Sequence, residues 1–221
     1  MSKKLEEKQR RRLAEERRRA EARKAARRRN LVTLGIALAV GAGVVLLIIN
    51  ERTVDTGPLG VSAAQAGCEE IETITDASRE HVDEGTNVDY DESPPMGGSH
   101  WPVPADAVFY SAELEEERLV HNLEHGQIVI WYQPDIDDEV KDDIETFVDR
   151  ENDVAIKDGA RVGPMLAAPY PNIDGSFTFA MTAWEASQSC EEMSSEAIDD
   201  FRARYQGRGP ELVVPPFTKE D

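Results

Sequence analysis

One segment of the sequence contains no charged side chain over nineteen residues, from Leu31 to Ile49 (LVTLGIALAVGAGVVLLII). At about 1.5 Å per helical residue it spans roughly 28 Å, close to the thickness of a bilayer's hydrocarbon core. A cleaved signal peptide normally has an apolar core of only about 7–15 residues after a short basic start. The sequence therefore predicts an uncleaved transmembrane helix at residues 31–50.

The charges on the two sides of this segment are opposite in sign. Residues 1–30 contain 14 Lys/Arg and 5 Glu, whereas the rest of the chain contains 11 Lys/Arg and 39 Asp/Glu. Basic residues beside a membrane helix stay in the cytoplasm. We therefore expect a basic cytoplasmic segment at 1–30, a linker at 51–67 and an extracytoplasmic domain at 68–217 in a single-pass cell-membrane protein. The acidic outer domain argues against nucleic acid as its partner.

The chain has two cysteines, Cys68 and Cys190, and both fall in the predicted outer domain. In an oxidising compartment such a pair is most simply a disulfide. It would close a loop of about 120 residues, for which chain entropy gives about 4–5 kcal/mol of stabilisation. We expect this disulfide to join the start of the domain to its last third.

The outer domain alternates between strand-like and helix-like patterns without a regular order. Segments rich in β-branched, aromatic and small apolar residues predict strands at 107–110, 127–133, 165–170 and 176–184. Amphipathic spacing and capping residues predict helices at 137–152 and 194–207. We therefore expect a small α+β domain with a mostly antiparallel sheet and two to three helices, preceded by the transmembrane helix.

All four histidines of the chain lie between residues 81 and 125. His81 and His100 flank a stretch that contains Pro94, Pro95 and Gly98, and this composition predicts a long irregular loop. Such loops are often functional.

The next segment, 113–126 (ELEEERLVHNLEHG), is predicted to be a short helix with Gly126 as its C-terminal cap. His121 and His125 would then lie on one helical face, at the spacing that a single metal ion can bridge.

Three interpretations of this pattern remain open. In the first, two to four histidines hold a transition metal, with Met96, Asp83 or Glu124 as further candidates; imidazole suits copper and zinc, and a thioether would favour copper(I). In the second, HNLEH matches the H-x-x-E-H motif of a small zinc hydrolase, with Glu124 as the catalytic base. In the third, the histidines bind backbone groups and only hold the Pro/Gly loop in place.

Four blocks of the sequence, PPMGGSHW, LVHNLEHGQIVIWYQP, FTFAMTAW and FRARYQGRGPE, resemble the bacterial domain-of-unknown-function family 3105. The resemblance covers approximately residues 68–215 and implies one N-terminal membrane helix followed by a small outer domain. It implies no activity. The family's pattern falls on the histidines and Glu124, and on the loop and capping residues Pro94, Pro95, Gly98 and Gly126.

We therefore expect a membrane-anchored protein of unassigned activity with a copper or zinc site formed by His81, His100, His121 and His125. A role in metal handling or sensing is favoured over catalysis, because no set of nucleophile, base and orienting residue is evident.

Overall fold

A computed structural model of the protein describes residues 61–173 and 175–219. The predicted cytoplasmic segment at 1–30 and the predicted transmembrane helix at 31–50 lie outside these residues. Over the described ranges, no helix has both the length and the apolar character needed to cross a membrane.

The described residues form an α+β domain with five strands and three helices. The strands are β1 (Glu72–Thr73), β2 (Ile128–Tyr132), β3 (Met165–Pro169), β4 (Phe179–Ala183) and β5 (Ala186–Cys190). The helices are α1 (Glu116–Glu124), α2 (Asp138–Lys157) and α3 (Ser195–Tyr205). This confirms the α+β class and the number of helices that were predicted for the outer domain.

The strands form one sheet in the order β1-β5-β4-β2-β3. The pairs β1–β5, β4–β5 and β2–β4 are antiparallel, and β2–β3 is parallel, with α2 as the crossover between them. The sheet is therefore mostly antiparallel, as predicted. A parallel pair requires a long connection, which the twenty residues of α2 supply.

Both faces of the sheet are covered. Alternate residues of β2 point to opposite sides, so that Ile128 and Ile130 face one cluster while Val129 and Trp131 face the other. The first cluster includes the apolar residues of α2 and α3, and the second includes Leu119 and Leu123 of α1. Burial on both faces explains why β2, β3 and β4 are continuous apolar runs.

Most predicted elements are present, with different bounds. The predicted strand at 107–110 was wrong, because only Phe109 forms a bridge, an isolated one to Ala167 of β3. The backbone turns just before it, where the N–H of Val108 donates to the carbonyl of Asp106. Helix α2 continues to Lys157, five residues beyond its predicted end.

The disulfide between Cys68 and Cys190 is present, which confirms that prediction. Cys190 is fully buried at the end of β5 and belongs to the first core cluster. The bond fastens the beginning of the described chain to the sheet.

Candidate metal centre

Helix α1 presents one apolar side to the sheet and one polar side to the long loop. Leu119 and Leu123 pack into the core, and both are buried. His121 and Glu124 project on a different side of the helix and contact the loop instead. The helix ends at Glu124, and Gly126 follows it with φ of 81°, a conformation that suits glycine.

The two ends of the loop meet beside this helix. His81 and His100 form an isolated parallel bridge, in which the N–H of Val82 donates to the carbonyl of His100 at 2.8 Å. The N–H of His100 donates in turn to the carbonyl of Glu80 at 3.0 Å. The loop between them has no regular structure, as predicted. Its residues Pro94 and Pro95 are buried, and Gly98 has φ of 127°.

Three of the four histidines converge on one point. His81, His100 and His121 each offer a ligand atom, and these atoms all lie within 4.8 Å of one another. His100 is fully buried and His121 is 6% exposed, whereas the side chain of His81 is 42% exposed. The site therefore has two fixed inner imidazoles and one imidazole at the surface, and the three can hold a metal ion.

The two buried imidazoles are oriented by backbone carbonyls. Nδ1 of His100 lies 2.7 Å from the carbonyl oxygen of Gly98, and Nδ1 of His121 lies 2.6 Å from that of Trp101. A carbonyl oxygen only accepts hydrogen bonds, so each Nδ1 carries the proton. In the neutral ring, Nε2 then has a free lone pair. This is the arrangement by which proteins fix the tautomer and direction of metal-binding histidines.

Glu124 adds a carboxylate to the cluster. Its Oε2 lies 3.0 Å from Nε2 of His100 and 3.3 Å from Nε2 of His81, and the residue is 3% exposed. A carboxylate oxygen and an imidazole lone pair repel each other at this distance. A positive charge between them, either a proton or a metal ion, is therefore required. Imidazole nitrogens and a carboxylate oxygen are both groups that bind cations, so these side chains suit a metal ion.

His125 lies beside the three-histidine set and not within it. Its Nε2 is 3.1 Å from Nε2 of His121 and 3.4 Å from Oε2 of Glu211. The prediction that His125 is itself a metal ligand stays a prediction.

Glu211 belongs to a C-terminal segment that covers the end of α1. The N–H of Glu211 donates to the carbonyl of Glu124 at 3.0 Å, and the N–H of Gly207 donates to that of Gly126 at 2.8 Å. A Cβ on Gly209 would lie 2.3 Å from the Glu124 carbonyl oxygen, so only glycine fits there. This segment satisfies carbonyls at the helix end and brings a carboxylate to His125.

Burial sets the charge state of His121 on α1 and of His125, which follows the last residue of the helix. Burial lowers the pKa of His121, and the carbonyl of Trp101 opposes this only in part. Burial also lowers the pKa of His125, and Glu211 and Glu124 oppose that change. Both pKa values remain below the ordinary value of 6.5, so both rings are neutral at pH 7. Neutral imidazole is the form that binds metals.

Some of these partners were not predicted. No sequence pattern indicated Glu211, which is 86 positions beyond His125, or the backbone carbonyls that orient the rings. Met96 is buried and lines a cavity with Pro94 and Ser187, and its role as a thioether ligand stays a prediction. The role of Glu124 as a catalytic base also stays a prediction.

Comparison with known proteins identifies the family. The family model described as a protein of unknown function, DUF3105, matches residues 81–216, so the chain belongs to this family. The match begins at the first histidine of the site and includes the C-terminal segment that carries Glu211. Neither a curated protein nor a solved structure matches the chain.

Proposed function

We propose that this protein is a membrane-anchored metal-binding protein whose outer domain holds one zinc or copper ion for handling or sensing. The ligands are Nε2 of His81, His100 and His121, with Glu124 as a carboxylate beside them. The uncharged segment at 31–50 is the anchor, and the basic residues before it keep the N-terminus in the cytoplasm.

The observation that carries the proposal is the direction of the two buried rings. His100 and His121 each bind a backbone carbonyl through Nδ1, so Nε2 is the nitrogen that each ring has left for a metal, and Nε2 of His100 lies beside Glu124. Burying the Nε2 lone pair of His100 beside a carboxylate costs free energy unless a proton or a metal ion lies between the two atoms.

The donor set indicates the class of metal. Imidazole nitrogens with a carboxylate oxygen suit zinc or copper(II), whereas thiolates select other metals. Both cysteines of the chain are used in the disulfide. Tetrahedral zinc with Zn–N distances of about 2.0–2.1 Å places its ligand nitrogens about 3.3 Å apart. The exposed His81 side chain has the freedom to close the remaining distance.

A role in binding is favoured over catalysis. The single carboxylate of the cluster, Glu124, has its Oε2 within hydrogen-bonding distance of two imidazoles. It is therefore occupied in neutralising the site. A carboxylate that activates water would instead have to face a substrate.

A structural role for the histidines is the second candidate, and a specific observation favours it. The bonds from His100 to Gly98 and from His121 to Trp101 hold the loop against α1 whether or not a metal binds. Under this alternative the imidazole rings stabilise the loop and bind no metal ion.

His81→Ala separates the two candidates, because this side chain is exposed and its bridge to His100 is made by the backbone. The full-length chain, exported through an oxidising compartment and purified in mild detergent, is assayed for bound zinc and copper by elemental analysis. We expect about one metal ion per chain in the wild type, and at least tenfold weaker binding in His81→Ala at an unchanged melting temperature in chelator.

Asn87→Ala is the matched control, since Asn87 is an exposed, uncharged residue of the same loop. It should retain the metal content of the wild type. Equal metal content in the wild type and in His81→Ala would contradict the proposal. If His100→Ala and His121→Ala reduced stability but no variant changed metal content, the structural role would be correct.

A further inference from the structure

We infer that His125 and the metal ion compete for the same lone pair on Nε2 of His121, so that His125 acts as a built-in regulator of metal affinity. This inference rests on the proposed function and concerns the same site. It assigns to His125 a role other than that of a fourth ligand.

The neutral ring of His121 has one N–H donor and one lone-pair acceptor. Its Nδ1 carries the proton that is donated to the carbonyl of Trp101 at 2.6 Å. The neutral ring then has one remaining acceptor, the lone pair on Nε2. Nε2 of His125 lies 3.1 Å away. Two lone pairs facing each other at this distance would repel, so Nε2 of His125 carries a proton and donates it to His121.

The same lone pair is required by the metal. A nitrogen lone pair cannot accept a hydrogen bond and coordinate an ion at the same time, so metal binding must break the bond from His125 to His121. The metal-bound state therefore loses a hydrogen bond that the metal-free state has. The loss of this hydrogen bond opposes metal binding and favours release of the metal.

Glu211 lies where its carboxylate can accept the N–H of His125 after that N–H has left His121. Its Oε2 lies 3.4 Å from Nε2 of His125, slightly too far for a good hydrogen bond in the present arrangement. The side chain of Glu211 is 51% exposed, while its backbone N–H is bound to the carbonyl of Glu124. The carboxylate can thus approach when His125 turns away from His121. Glu211 therefore favours the metal-bound state.

The side chains around the site differ in their exposure to solvent. Exposure rises from His100, fully buried, to His121 at 6%, to the His125 side chain at 18% and to the Glu211 side chain at 51%. His125 is thus more exposed than the buried rings of His100 and His121 and less exposed than Glu211. A protein that delivers or senses a metal needs such reversible binding.

The test is a zinc titration of the full-length protein against a chromophoric chelator at pH 7.5. His125→Phe keeps a ring of similar size but has no N–H, and it should bind zinc about 3–10-fold more tightly than the wild type, because the competing hydrogen bond is gone. His125→Gln keeps an N–H donor and should give a smaller increase. Glu211→Gln should bind zinc about 2–5-fold more weakly, whereas the exposed control Glu192→Gln should not change the affinity.

A second measurement on the wild type avoids any effect of substitution on folding. Nitrogen-15 labelling of the four histidines gives a simple NMR spectrum from which each ring tautomer is read. Without zinc we expect the proton of His121 on Nδ1 and the proton of His125 on Nε2. A zinc-free His125 with its proton only on Nδ1 would overturn the inference.

The outcomes distinguish this inference from the proposed function. If the wild type binds zinc and His125→Phe binds it equally or more weakly, the metal site stands and the competition is wrong; weaker binding would identify His125 as a ligand. If neither the wild type nor any variant binds zinc or copper, the proposed function fails and the competition fails with it.

Discussion

Replacing Glu124 with glutamine should change metal affinity and metal-free stability in different ways. Oε2 of Glu124 lies 3.0 Å from Nε2 of His100 and 3.3 Å from Nε2 of His81. Since Nδ1 of His100 donates to Gly98, the contact with Nε2 holds only if a proton or a metal ion lies between the two atoms. Glutamine has nearly the same shape, and its amide N–H can donate to the lone pair of His100 without an added proton.

The magnitudes follow from these distances. Two unit charges 4 Å apart interact by about 4 kcal/mol at an effective dielectric constant of 20, so losing the carboxylate beside a metal has a large effect. Substitutions of groups that support metal ligands typically cost 10–100-fold in affinity. We expect Glu124→Gln to weaken zinc binding about 10–100-fold. In chelator, its free energy of unfolding should stay within about 1 kcal/mol of the wild type or rise, because a neutral hydrogen bond replaces the contact.

The assay is a urea unfolding series in chelator, together with zinc titration of the same preparations. Glu117→Gln is the matched control: Glu117 is also buried on α1, but its carboxylate accepts from the N–H of Val88 and not from a histidine. The control should bind zinc within about threefold of the wild type, because it supports no ligand. The reasoning would be refuted if Glu124→Gln kept full zinc affinity while losing about 3–5 kcal/mol of stability, as expected for a broken buried ion pair.

Three further perturbations test other parts of the structure. Because burial lowers the pKa of His121 and His125, the unfolded chain binds more protons below the ordinary pKa of 6.5, so stability in chelator should fall as the pH falls from 7.5 to 5. The decline should be smaller in a His121→Phe/His125→Phe variant, and an equal decline measured by urea unfolding would contradict this. Replacing both disulfide cysteines with serine should lower the free energy of unfolding by about 2–4 kcal/mol, and no change in urea midpoint would contradict a stabilising bond. Gly209→Ala should cost about 1–3 kcal/mol, since its Cβ would meet backbone oxygen at 2.3 Å. Gly175→Ala, with open space around it, should cost much less, and equal melting temperatures would show that the C-terminal segment is not tightly packed.

Strands with a strong apolar signal could be predicted from the sequence, and strands without one could not. β2, β3 and β4 are buried on both faces and consist almost entirely of apolar residues. β5 has the sequence ASQSC, in which Ser187 is buried and Gln188 and Ser189 are partly exposed, so neither alternation nor β-branching marked it. Strand β1 has only two residues, which is too few to show a periodic pattern. Local signals therefore identified β4, β2 and β3 and missed the two strands on the other side of the sheet, β1 and β5.

The candidate site was predictable where chemistry and spacing coincide in sequence. His121 and His125 are four residues apart at the end of a predicted helix, and His81 and His100 bound a loop whose composition marks it as irregular. The convergence of three rings depends on a backbone bridge between the loop ends and on carbonyl acceptors. Every residue has a backbone carbonyl, so no residue type signals such a partner. Glu211 arrives through tertiary packing of a distant segment, which no local pattern describes.

The central claim is that imidazole nitrogens bind a metal ion in this domain. X-ray absorption spectroscopy at the zinc and copper edges of the metal-loaded full-length protein tests it most directly, because it reports the type and distance of the ligands. The account predicts three imidazole ligands with metal–nitrogen distances of about 2.0–2.1 Å and an additional oxygen ligand. A ligand shell made only of oxygen atoms, without the scattering pattern of imidazole rings, would contradict it.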